Sequence, residues 1–129
     1  MQKAHDELID CTQEMERATA KVHSDLREYV GTRFRVGRAS LARRLLWRTI
    51  FTYLSTRASS GDTEILQILH KADLQLLNFT SSHVVRWTTE AVRTDWAGYS
   101  EVSHQMRMKM CGAVSDEKRL LYPLLSRYD

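Results

Sequence analysis

Five histidines, His5, His23, His70, His83 and His104, together with nearby carboxylates, are the residues of this 129-residue chain that could hold a metal or move protons. A metal pair inside a helical protein needs His and carboxylate side chains converging from several helices, because each ion takes several ligands at one point. Glu101-Val-Ser-His104 has the i, i+3 spacing that puts two ligands on one helical face. A ferritin-like di-iron site needs that pair twice, on different helices, and the chain has it once. His83 lies one turn before Trp87, where a satisfied or surface histidine is the simpler reading. His70-Lys71-Ala72-Asp73 is a distant match to a phosphotransfer histidine, without the small residues and glycine such a site needs. No Ser-His-Asp arrangement, phosphate-binding glycine loop or Cys/His zinc spacing occurs, so the residues do not point to an enzyme. Cys11 and Cys111 sit among apolar helical positions and read as buried, reduced thiols.

The elements that must position these groups are helical. One proline and five glycines are too few to punctuate a many-stranded sheet. Leu8, Cys11, Met15, Ala18, Val22, Leu26 and Tyr29 recur at steps of three and four, which gives a first helix from about residue 3 to 30 with Gly31 as its stop. Gly37 and Ser40 open a second, running to about Arg57. Asp62 is placed to cap a third, with Glu64 in its first turn and Ile65, Leu69, Ala72, Leu76 and Phe79 facing inward. The pattern lapses between Thr88 and Thr94. It resumes from Asp95 in a fourth helix that turns Tyr99, Val102, Met106, Met110, Ala113, Glu117, Leu121 and Leu124 to one side, with Pro123 bending or ending it. Met106, Met108 and Met110 read as core filling. Four helices with short connections imply an all-α, antiparallel up-down four-helix bundle, and 129 residues with 43% hydrophobic content fit one domain over residues 1–129.

The run Glu117-Lys-Arg-Leu-Leu-Tyr-Pro-Leu-Leu125, with Trp87, Val92, Asp95-Trp96 and Tyr99, resembles the last helix of hemerythrin-like bacterial helical-bundle domains. The resemblance covers about residues 37–125, with a fainter extension to His5 in Ala4-His-Asp-Glu-Leu8. It implies a hemerythrin-like bundle with a non-haem di-iron cofactor, whose second and fourth helices each supply a His and, four residues later, a Glu. This chain departs from that pattern twice. In the fourth helix Glu117 stands for the acid, but Ala113 occupies the histidine's place. In the second, the register falls on Leu45 and Thr49 or on Arg57 and Gly61, and residues 33–61 contain no His, Asp, Glu or Cys at all. The family site is therefore degenerate and no cofactor is expected. If any of it persists as a di-iron or oxygen-sensing site, His5, His83 and Glu117 are the candidate ligands, with Glu101 and His104 behind them.

A carboxylate on an apolar stripe costs several kcal/mol unless a cation or donors meet it. Glu117 thus demands a partner, and Arg44 or Arg48, one turn apart on the acid-free second helix, would put a guanidinium where a cation would sit. Leu45 and Trp47 would fill the space a lost metal leaves.

The net charge of +3 is unevenly spread: residues 33–61 carry seven arginines and no acid, while residues 62–129 carry nine acids against eight bases. The second helix is apolar nearly all round, through Leu41, Leu45, Leu46, Trp47, Ile50, Phe51, Tyr53 and Leu54, so it is either central or offers an outer face, Trp47 and Phe51 included, to another chain. The leading expectation is a non-catalytic regulatory or protein-interaction module, binding a protein partner or itself as a homodimer. Nucleic-acid binding through Arg33, Arg35, Arg38, Arg43, Arg44 and Arg48 is a further possibility that the even charge elsewhere argues against. The charged N-terminus and the lack of a long apolar run place the protein in the cytoplasm, away from membranes.

Overall fold

A computed structural model describes residues 1–20 and 26–128, and the side chains of all of these except 18–20 and 26–29. Five helices make up the described residues: α1 Gln2–Ala20, α2 Leu26–Ser55, α3 Ser60–Arg86, α4 Thr89–Thr94 and α5 Trp96–Arg127. His23 and the inward positions assigned to Ala18, Val22, Leu26 and Tyr29 lie outside the described residues or side chains. No described helix is long and apolar enough to cross a membrane.

Helix α2 starts earlier than its glycines suggest. Gly31 does not stop the first helix, and Gly37 and Ser40 do not open the second, because all three lie inside α2. No described glycine has a positive φ, so neither Gly31 nor Gly37 uses the freedom that would break a helix. Val36, Ala39, Arg43, Trp47 and Leu54, at steps of three, four and seven, carry one buried stripe straight through the region. Glycine still weakens a helix interior. Gly112 in α5 is exposed and a Cβ there would meet nothing within 4 Å, so Gly112→Ala should stabilise the fold by about 0.5–1 kcal/mol. A raised urea midpoint with an unchanged m-value is the expected reading.

The cap of α3 is Ser59, not Asp62: its hydroxyl accepts the Asp62 N–H at 3.3 Å. The Asp62 carboxylate is taken up elsewhere, by Arg127 at 2.7 Å and by the Tyr128 hydroxyl at 2.7 Å, which fastens the end of α5 to the start of α3. The Tyr128 hydrogen bond first, then Arg127 against partial desolvation, holds that carboxyl below its usual range. Glu64 lies beyond the first turn. The unassigned stretch after Trp87 is α4, capped by Thr88, whose hydroxyl accepts the Ala91 N–H at 3.2 Å while Val92 is buried. Asp95 then caps α5 through the Gly98 N–H at 2.9 Å, and any Cβ at residue 98 would run into that carboxylate. Pro123 does not end α5, which continues to Arg127. The ring is on the exposed side, where freed carbonyls turn to water.

The long helices pack as a ring, α1 on α2 and α5, and α3 on α2 and α5, with α4 against α5. Contacts fix the directions. His5 meets Glu117 while Thr12 sits 3.9 Å from Cys111, so α1 and α5 run oppositely. Arg33 reaches the Val84 carbonyl, Arg43 meets Asp73 and Phe51 stacks on His70, so α2 and α3 do too.

Two apolar clusters fill the interior. One gathers Leu8, Met15, Val36, Leu76, Trp87, Tyr99, Met106, Met110 and Val114. The other gathers Trp47, Leu54, Leu66, Leu69, Leu121 and Leu124. On α2, α3 and α5 a single buried charged residue, Arg43, Asp73 or Glu117, lies between them in sequence, and His5 lies three residues before Leu8 on α1. A polar layer crosses the middle of the molecule.

Candidate functional site

That layer consists of His5 from α1, Arg43 from α2, Asp73 from α3 and Glu117 from α5, each at most 3% exposed. The Arg43 guanidinium bridges the two acids. Its Nε donates to Glu117 Oε2 at 3.2 Å, Nη2 donates to Glu117 Oε1, and Nη1 donates to Asp73 Oδ1 at 3.4 Å. A forked pair of this kind fixes orientation as well as charge. Arg44, half-buried, brings Nε to 3.6 Å from Asp73 Oδ2. Two guanidiniums therefore balance two carboxylates.

His5 completes the shell of Glu117, with Nε2 2.5 Å from Oε2 and Nδ1 2.7 Å from the Tyr122 hydroxyl. A carboxylate only accepts, so Nε2 carries the proton. Nδ1 then accepts from Tyr122 in the neutral tautomer, an assignment made from the hydrogen-bond network. Burial first, then the nearby Asp6 and Glu117 charges, raises the Tyr122 phenol above its usual range and keeps it a donor. Both ring nitrogens of His5 are thus engaged, and the ring is fully buried. This geometry ties four helices together and leaves neither imidazole nitrogen open to a substrate.

The residues do not fit a metal pair. A guanidinium lies between the carboxylates, α2 offers no His, Asp, Glu or Cys from Arg33 to its end at Ser55, and no group of three or more His, Cys, Asp or Glu among the described residues could hold an ion.

The sequence candidates divide. Glu117 and His5 do meet. His83 does not join them: it packs against Tyr99, 18 residues and so roughly 27 Å along α5 from Glu117. Glu117 does find a buried guanidinium, but from Arg43 and not from Arg44 or Arg48. Arg44 serves Asp73, and Arg48 is exposed because it projects nearly opposite to Arg43. Trp47 fills the core as expected. It is therefore not on a partner-binding face, and Phe51, half-buried, stacks on His70 with ring centres 4.3 Å apart. Leu45 fills no gap and is 52% exposed. Glu101 and His104 are both exposed, and His104 lies 3.9 Å from Glu16. Cys11 and Cys111 are free and half-buried, and burial raises the Cys11 thiol's pKa. Met106 and Met110 are core, whereas Met108 is exposed.

Asp73 was missed, although a signal exists: it lies four residues after Leu69 and three before Leu76, on the stripe that buries Leu66, Leu69, Leu76 and His83. Compared with family models, curated proteins and solved structures, the chain matches none.

Proposed function

We propose that the chain is a non-catalytic interaction module, an antiparallel up-down four-helix bundle of hemerythrin-like kind in which a guanidinium has taken the place of the metal, and that it pairs with a second copy of itself through the outer face of α2. The observation that carries the reading is a bare apolar arc. Val30, Phe34, Leu41 and Leu45 are all exposed, Phe34 at 65%, and at 100° per residue they share one narrow strip directly opposite Arg43. That strip extends over about 22 Å of helix. A helix that is apolar on both faces, with only one of them packed, has a surface left to cover. A two-fold pairing of identical strips covers it on both copies at once.

The residues that carry the resemblance support the scaffold: Glu117 is buried at the level of His5, and Trp87, Val92, Tyr99 and Leu121 are all core. Light scattering at high protein concentration should give twice the monomer mass, and Phe34→Glu with Leu45→Glu should return it to that of the monomer. A wild-type monomer at all concentrations would sink self-association. Stoichiometric iron in purified protein would overturn the metal-free reading in favour of a residual oxygen or metal sensor.

A further inference from the structure

A cavity of about 450 Å³ opens between α2 and α3, within the roughly 300–1,000 Å³ range of small-molecule sites. Its floor is apolar and adaptable, made of Met15, Met106 and Met110 with Val36 and Leu77. Leu41, Val84 and Val85 stand at its mouth, each more than half exposed. It is long, since the lining runs along α2 from Arg33 to Arg44, about 16 Å of helix.

Two features give it a polar end. His83 is 5% exposed, yet neither ring nitrogen has a hydrogen-bond partner. A buried imidazole left in that state bears the desolvation of both nitrogens without the hydrogen bonds that would offset it, and an incoming polar group would restore them. Arg33 lies alongside, its Nη2 3.4 Å from the carbonyl of Val84. Burial first, then the charge of Arg33, lowers the His83 pKa to about 4, so the ring is neutral at pH 7 and offers one donor and one acceptor. The described lining holds two arginines and no carboxylate.

We infer that this cavity binds an unbranched apolar monocarboxylate, a fatty acid, with its chain along the methionine floor and its carboxylate between His83 and Arg33. Length and apolarity select the chain, while the unpartnered imidazole beside a guanidinium, in a described lining without a carboxylate, selects the head. The cavity shares Arg44 with the edge of the buried layer and Leu41 with the outer strip of α2, but its polar end, at His83 and Arg33, belongs to neither, and the inference does not rest on the function proposed for them.

Gly37 makes the test clean. It lines the cavity and a Cβ there would meet nothing within 4 Å, so Gly37→Leu puts a side chain at the cavity wall while improving helix propensity. Sodium dodecanoate below its self-association limit should bind the full chain one to one by calorimetry, at least about tenfold more tightly than dodecanol. It should move the His83 ring signals in NMR. Gly37→Leu should weaken dodecanoate at least about tenfold without lowering the melting temperature. Absence of saturable binding, equal affinity for dodecanol, or undiminished binding by a folded Gly37→Leu protein would each overturn the inference.

Discussion

Arg43→Ala should cost about 3–5 kcal/mol of stability at neutral pH, the scale seen when one member of a buried ion pair is removed. The loss does not come from the attraction itself, which in such pairs roughly offsets the desolvation of both partners. It comes from what stays behind: among the described residues Glu117 keeps His5, and Asp73 keeps Arg44 at 3.6 Å, both in a layer closed to water. Two variants separate this account from simple cavity formation. Arg43→Met, which fills most of the space, should remain almost as unstable as Arg43→Ala. Adding Glu117→Met to Arg43→Met should recover part of the loss, because a stranded charge goes with it. A coupling of about 1 kcal/mol or more in the urea-denaturation cycle is expected; strict additivity would show that the guanidinium and Glu117 act independently. If the guanidinium does stand where a cation would, Zn²⁺ should raise the melting temperature of Arg43→Ala and leave the wild type unmoved.

Acidification is the second large effect, and it is centred on His83. Its pKa falls from 6.5 to about 4 on folding, through burial first and then Arg33. Between those values the unfolded chain binds a proton that the folded chain refuses, so stability declines as pH drops from about 6.5 toward 4 and is unaffected by this group above that window. A shift of that size corresponds to roughly 3 kcal/mol across the window. Carboxylates contribute in the same direction at the lower end, so the decisive comparison is with His83→Gln. The variant should lose most of the slope between pH 6.5 and 5, measured by denaturation at a series of pH values. Parallel profiles for the two proteins would show that His83 takes up its proton in the fold without penalty.

What could be read from the letters depended on how many faces each helix uses. Helix α5 has one buried side, and Tyr99, Met106, Met110, Glu117, Leu121 and Leu124 were all placed on it correctly from spacing. Glu117 was legible as a buried acid for the same reason. Helix α2 is apolar on two opposite sides, so periodicity gives no way to tell Arg43 from its neighbour Arg44 or from Arg48, and the partner of Glu117 is the one of the three that spacing does not single out. Asp73 hid because Ile65, Ala72 and Phe79 make an alternative stripe only one residue out of phase with the true one. The helix ends were least legible. Gly31 looks like the stop of one helix and Gly37 like the opening of the next, and only packing along Val36, Ala39 and Arg43 shows why one helix passes through both. The cavity had no signal of its own, since it depends on how α2 and α3 splay around residues distant in sequence.

The buried layer has a consequence for the order of events in folding. His5 and Glu117 are 112 residues apart, and Arg43 is 74 from Glu117 and 30 from Asp73. None of these bonds can form within one helix or one hairpin of adjacent helices except Arg43 with Asp73. The rest must wait until α1, α2 and α5 have docked, and contacts so distant in the chain are late ones. Interactions absent from the transition state act on the rate of leaving the native state and not on the rate of reaching it. The layer is thus a latch, slow to matter on the way in and decisive on the way out, and it sets how long each molecule stays folded more than how fast it folds.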